Sequence, residues 1–438
     1  MFLKLSFYTL RMKKIWQKKE GMATDAFNEQ YLVSKGVPDN ALIPYDIAAS
    51  KAHAKMLHSI GILTEEENES LQKGLDCILD LYGKGEFSVT VADEDCHSAI
   101  ERFLTEKCGD AGKKIHTGRS RNDQVLVATR LYMKEALTGL GEDIGELAKH
   151  FLQMAKAHQD VPFPGYTHSQ QAMLSSLGHY FCSFVESLID DKNFVGLVTS
   201  AIDKNPLGSA AGFGVAIPLD RELTTKELSF AHVQMNSLYC QTSRGKFESM
   251  ALEAMVQLML TLGRFAQDMI IFTTREFGYF QVNDSMTTGS SIMPQKKNMD
   301  YMEVLRGQVS VVISLQHQIQ DVTKNQLSGY NKDLKFVKKA MLDAFDIATS
   351  SIVIVGKMLD ALTPNTEIIL SKISKDIFAA DVVNDLVKDE GMPFRDAYRV
   401  AMERLDVLTI DYQKNIQSKV SAGAPGNLGI DIYERILR

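Results

Sequence analysis

The strongest constraint on the fold is where proline is missing. None of the ten prolines lies between Pro44 and Pro162, between Pro218 and Pro294, or between Pro294 and Pro364. Proline inside a helix removes a hydrogen bond and clashes with the turn before it, so these gaps admit very long helices. The pattern inside them agrees. From 250 to 272 the polar residues include Glu253, Gln257, Thr261, Arg264 and Asp268, at intervals of four, four, three and four. That is one narrow polar stripe on an otherwise apolar helix, which must be covered on most sides. Such a helix belongs at the centre of a bundle, one shared between subunits. Residues 300–325, 332–362 and 168–200 read similarly.

Local punctuation fits a helical chain. Thr64 with Glu67 is a capping-box pattern, and Gly61 is placed to end the preceding helix. Strand signals are scarce, with FSVTV at 87–91 the one short candidate. Turn-rich breaks fall at 160–166, 203–218, 284–298 and 421–429. The expected fold is all-α with three mainly helical domains: 12–121, a central long-helix bundle over 122–362, and a small C-terminal domain over 363–438. Residues 1–11 read as a disordered arm or a start site upstream of the true one at Met12. Six Lys or Arg precede the first acid, Glu20, and no cleavage-site pattern follows.

Charge and cysteine usage narrow the function. A net charge of −7 argues against a general nucleic-acid or membrane-surface partner. Cys77, Cys96, Cys108, Cys182 and Cys240 are odd in number and show no CxxC spacing, which fits a reduced, cytoplasmic setting. The richest apolar segment, 254–263, is bracketed by Glu253 and Arg264, well short of a membrane span. No zinc-protease, EF-hand, P-loop or nucleophile-elbow pattern is present, so neither a metal nor a cofactor is expected. GSAAGFG at 208–214 lacks the Lys-Ser/Thr of a P-loop and reads as a tight turn.

Three polar stretches remain: HTGRSRND at 116–123, GYTHSQQ at 165–171 and TGSSIMPQKKN at 288–298. Singly, each has a bland reading as a helix cap or a solvated loop. Together they hold an acid or base (His168, Ser290), cations (Arg119, Arg121, Lys296) and neutral donors (Ser120, Asn122, Thr167, Asn298). That inventory suits a dicarboxylate on which further negative charge develops.

GSSIMPQKKN resembles the signature of the fumarase/aspartase superfamily. HTGRSRNDQ and GYTHSQ are similar to the other two superfamily regions in the form found in argininosuccinate lyases. The likeness continues through SGYNKDL at 328–334 and GMPFRDAY at 391–398. The resemblance implies reversible β-elimination of argininosuccinate to arginine and fumarate through an aci-carboxylate, as in arginine biosynthesis. It also implies a homotetramer with active sites shared between subunits and no cofactor. By the same resemblance, Ser290 takes the proton in a cationic pocket with Lys296 and Asn298. His168 is the alternative acceptor, or the acid for the departing nitrogen, and Glu303 orients it. Ser120, Arg121, Asn122 and Thr167 are expected at the succinate part, Tyr330 and Lys338 near the arginine-side carboxylate, and His97 as a second active-site histidine.

Departures from the family pattern concern mainly the arginine end. Lys335 stands where a glutamine is usual, Leu42 falls near an expected serine, Met299 replaces a proline and Ser169 a leucine. The competing readings are a superfamily lyase acting on adenylosuccinate, aspartate or malate, and a catalytically silent structural protein on the same fold.

Overall fold

The computed structural model describes residues 39–438 other than 91, 92, 94 and 408. The N-terminal arm and the alternative start at Met12 lie outside the described residues. Ten helices carry the architecture: α1 (Ile43–Ser59), α2 (Glu65–Gly83), α3 (Cys96–Cys108), α4 (Arg121–Ala157), α5 (Leu177–Ile202), α6 (Lys246–Phe272), α7 (Asp300–Thr323), α8 (Lys335–Ala361), α9 (Ala379–Glu390) and α10 (Phe394–Val407). Shorter helices and three two-stranded sheets fill the connections. The chain is all-α, as its proline spacing permits.

The predicted start signals operate. Thr64 and Glu67 form a reciprocal capping box on α2, and Gly61 adopts a positive φ just past α1. Ser120 caps α4, with the Asp123 carboxylate accepting from the Ser120 N–H. The other Asp123 oxygen accepts from the main-chain N–H groups of Gly208 and Ala210, at 3.0 and 2.9 Å. The glycine-rich stretch is thus a tight turn tied to the start of α4.

The largest core lies among α4, α5, α6, α7 and α8. A second packs α1, α2 and α3 around Leu57, Leu71 and Leu104, and a third unites α9 with α10 around Val383 and Ala401. Helix α6 is covered by α5, α7 and α8 of its own chain. Its polar stripe faces out through Gln257, Arg264 and Gln267. Helix α6 leaves Leu260 and Ile271 bare, and on α7 Tyr301, Val304 and Val311 are exposed along one stretch. By length and composition alone α6 is long and apolar enough to cross a membrane, unlike the shorter run read from sequence, but half of that window is buried inside the chain.

Two sequence expectations are corrected. Residues 87–90 form no strand: the Val89 N–H bonds the Asn40 side chain instead of a neighbouring strand. Residues 168–176 are not the start of a helix. They belong to a hairpin in which β1 (Pro162–Thr167) pairs with β2 (Gln170–Ser176), and α5 begins only at Leu177. The hairpin rests on an aromatic cluster. Phe163 packs 5.4 Å from Phe272 and 5.5 Å from Tyr279, and the Tyr166 and Tyr279 hydroxyls are hydrogen-bonded. Each such ring pair contributes about 0.5–1.5 kcal/mol beyond its buried area, giving the turn a firm base.

Candidate active site

Helix direction decides which candidate residues can meet. Helices α4, α6 and α8 run one way; α5 and α7 run back. At one end of the bundle the Arg244 guanidinium reaches the Asn122 carbonyl, and Lys338 pairs with Asp39. At the other end His150 pairs with Asp360, and β3 (Phe280–Val282) pairs with β4 (Leu362–Pro364). The 37 residues of α4 separate these ends by about 55 Å. The first end holds His97, Ser120, Arg121, Asn122, Tyr330 and Lys338. The second holds Thr167, His168, Ser290, Lys296, Asn298 and Glu303. The six residues of β1 reach back at most about 20 Å, too short to bridge the gap.

At the first end the start of α4 lies against the start of α3. Asp95 caps α3 by accepting from the Ser98 N–H at 2.9 Å. Its second oxygen receives Arg121 Nη2 at 2.7 Å, and the same nitrogen donates to Ser98 Oγ. Below them lies a buried pair. His97 Nδ1 is 2.7 Å from Asp46 Oδ2, and both residues are under 4 % exposed. Gln124 Nε2 donates to Asp46 Oδ1 at 3.0 Å, and Ser50 Oγ lies 3.4 Å from the same oxygen. Burial alone would push the Asp46 carboxyl up, but the charge and hydrogen bond of His97 outweigh it and hold the group below its ordinary value. Burial alone would push His97 down, but Asp46, then Asp95 and Asp39, hold the imidazole above its ordinary value. His97 Nε2 is buried with no hydrogen-bond partner among the described residues. An imidazolium in this position keeps one N–H free for an incoming anion.

Cys96 completes a set of three potential metal donors with Asp46 and His97, within 4.8 Å of one another. As placed they form a hydrogen-bonded group: Nδ1 already faces the carboxylate, and burial pushes the Cys96 thiol up, away from the thiolate a metal needs. Asp46 is the functional candidate the sequence reading missed. It sits mid-helix in α1, 51 positions from its partner, with no local motif around it.

Tyr330 and Lys338 enter this end from the segment before α8 and from its first turn. The Tyr330 ring lies under Arg244, whose Cζ is 5.0 Å from its centroid. Lys335 opens α8, half-buried, with its ammonium 4.8 Å from the Phe336 ring. Leu42 is fully buried in the apolar core of the first three helices, so it faces no substrate.

At the second end His168 and Ser169 are the two central residues of the β1–β2 turn, with φ of 51° and 60°. Two-residue hairpin turns of this hand favour Asn-Gly; non-glycine residues at both positions store strain, a feature that clusters at functional sites. His168 and Thr167 are exposed at the tip. The 288–298 loop is closed at its neck by paired main-chain bonds between Thr288 and Asn298. Inside it Ser290 Oγ accepts from the Met293 N–H at 3.2 Å and lies 3.4 Å from the Ile292 nitrogen. Asn298 Nδ2 donates to the Gly289 carbonyl, and the Lys296 ammonium is exposed without a partner among the described residues. Donors aimed at a hydroxyl oxygen favour its deprotonated form. Glu303, in the first turn of α7, is exposed and makes no bond to His168 within the chain.

The chain is similar to known proteins along nearly its whole length. A family model described as "Lyase" matches residues 19–314. An argininosuccinate lyase of Sorangium cellulosum is 41% identical over 97% of this chain and 98% of its own. One of Xanthomonas oryzae pv. oryzae is 40% identical over 95% of this chain and 97% of its own. Among solved structures, EDDS lyase in complex with formate superposes with a TM-score of 0.79 at 22% identity, covering 94% of this chain and 88% of that one, a likeness of fold. With relatives this similar along nearly its whole length, the chain belongs to the argininosuccinate lyase family of the fumarase/aspartase superfamily.

Proposed function

We propose that this chain catalyses the reversible cleavage of argininosuccinate into arginine and fumarate, as a step of arginine biosynthesis in the cytoplasm. The observation that carries the reading is the 288–298 loop, where main-chain N–H groups point at the Ser290 hydroxyl and the same loop carries the exposed Lys296, unpaired among the described residues. As alkoxide, Ser290 removes a proton from the carbon beside a succinate carboxylate. That carboxylate becomes an aci-carboxylate with nearly two negative charges, held by Lys296 and Asn298. The electron pair then expels the guanidino nitrogen, which takes a proton from His168. Glu303 orients His168. Ser120, Arg121, Asn122 and Thr167 hold the succinate part, Tyr330 and Lys338 the arginine-side carboxylate, and the free N–H of His97 meets a carboxylate near the start of α4. Stabilising charge that grows in the transition state is the main task of such a site, and one lost donor typically costs about 10²–10³ in rate.

The two sets of residues stand at opposite ends of a long bundle, so one chain cannot assemble this site. Association that brings the first end of one subunit to the second end of others completes it. The apolar stripe on α7 at Tyr301, Val304 and Val311 supports such self-association, and closed symmetry makes all sites equivalent. A homotetramer is the proposed assembly. We also infer three domains, divided near residues 121 and 362, the middle one carrying the shared bundle.

The test is release of fumarate, followed by ultraviolet absorbance, when purified protein is given argininosuccinate, with adenylosuccinate, aspartate and malate as comparison substrates. Fumarate from argininosuccinate alone supports the reading. Release from another substrate, or from none, refutes it.

A further inference from the structure

Arg244 belongs to none of the three motifs, yet it joins two of the site's segments. It lies between the short helix Ser237–Thr242 and α6. Its Nη2 donates to the Asn122 carbonyl at 2.5 Å, and its Nε donates to Gln241 Oε1 at 3.3 Å. Its guanidinium lies over the Tyr330 ring, with Cζ 5.0 Å from the centroid. Asn122 and Tyr330 are distant in sequence and meet through this one side chain.

The charge on Arg244 lacks a counter-ion. No carboxylate among the described residues lies within ion-pair distance of it, and Nη1 makes no hydrogen bond there. Burial pushes the guanidinium down to about 10, against the pull of Tyr330, Glu248 and Asp123, so it is cationic at neutral pH. Arg244 is half-buried, and a cation partly withdrawn from water without an anion is costly, a cost that a ligand carboxylate would offset. The planar fork of arginine suits a carboxylate better than any other common anionic group except phosphate.

We propose that Arg244 is a carboxylate-binding residue of the site, offering Nη1 to the substrate while its other nitrogens fix Asn122 and Gln241. This rests on the reading of the chain as an argininosuccinate lyase, whose substrate carries carboxylates at both its succinate and arginine ends. Four inhibitors separate the possibilities: arginine, agmatine (arginine without its carboxylate), succinate and succinamide, the last lacking both carboxylates. Arg244→Met removes the charge and keeps an apolar stem over Tyr330.

Inhibition of fumarate release by arginine, or by succinate, is expected to weaken about ten- to a hundredfold in Arg244→Met, the size of a lost charge-assisted hydrogen bond. Agmatine and succinamide are expected to act equally on both proteins. Loss for arginine assigns the arginine-end carboxylate, and loss for succinate the succinate end. Arg244→Lys keeps the charge and is expected to stay within about tenfold of wild type. Unchanged inhibition in Arg244→Met overturns the proposal. So does an equal loss for the carboxylate-free analogues, or a fall in thermal stability that Arg244→Lys shares in full, since either marks a prop for the fold. Failure of wild-type protein to release fumarate is a separate result and sinks the lyase reading itself.

Discussion

Asp46→Asn removes one charge and keeps the shape of the side chain. In the structure Asp46 is fully buried, 2.7 Å from His97 Nδ1, and receives a further bond from Gln124. Breaking one partner of a buried ion pair costs about 3–5 kcal/mol. Solvent screening does not reduce this, because neither group reaches water. The amide oxygen still accepts from Nδ1, but the amide NH₂ then faces a donor, Gln124 Nε2 or Ser50 Oγ. A loss near the lower figure, about 3 kcal/mol, is expected in urea unfolding at fixed protein concentration.

The pH dependence sharpens the test. His97 is raised above its ordinary value of 6.5, so its contribution is complete below that value and fades as pH rises through the folded one. Asp46 is lowered below its ordinary 3.8, so its contribution is complete above that value and fades as pH falls through the folded one. Wild type therefore holds a stability plateau from about pH 4 to pH 6.5, and the variant loses it. In activity, removing Asp46 takes away the main influence that opposes burial and holds the imidazole protonated, so the falling limb of kcat/KM is expected to move to lower pH than in wild type. A stability change under about 1 kcal/mol, with an unshifted pH profile, would refute the charged-pair account.

Ser290→Ala should lower turnover by at least about 10²–10⁴ while leaving the circular-dichroism spectrum and substrate binding intact; retention of a tenth of wild-type activity would remove Ser290 from the base role. Asn122→Ala and Ser290→Ala lie at opposite ends of the bundle, so two nearly inactive chains should restore activity when co-refolded in equal amounts. A sound site needs its first end from the Ser290→Ala chain and its second from the Asn122→Ala chain, a chance of about one half each, so about a quarter of wild-type activity should return. No recovery after mass-tagged chains prove full subunit exchange would mean the site is not shared. Gly245→Ala should destabilise the protein by about 2–5 kcal/mol in thermal or urea unfolding, because Gly245 has a φ of +78° and an added Cβ would stand 2.0 Å from Thr323 Cγ2; a loss below about 1 kcal/mol would mean that α6 and α7 yield easily there.

Much of this protein is written locally in its sequence. The long helices follow from the absent prolines and the apolar periodicity, since a helix satisfies its own backbone within four residues. The caps at Thr64 and Ser120 were legible for the same reason. The polar stretches around Ser120, His168 and Ser290 stood out because a dicarboxylate chemistry needs those residue types. The β1–β2 hairpin was not legible: its apolar pattern is short, two prolines interrupt it, and its turn is made by His168 and Ser169 instead of a glycine pair. FSVTV had strand-forming residues but found no partner strand, and β structure requires one. Asp46 looked like any helical acid until packing brought α1 against α3 and set it beside His97. The division of the site between two ends is the sharpest case. It depends on which way each helix runs and on how far about 55 Å of α4 carries one motif from the next. Neither is encoded in the spacing of residues along the chain, because the distance between motifs is set by how helices stack.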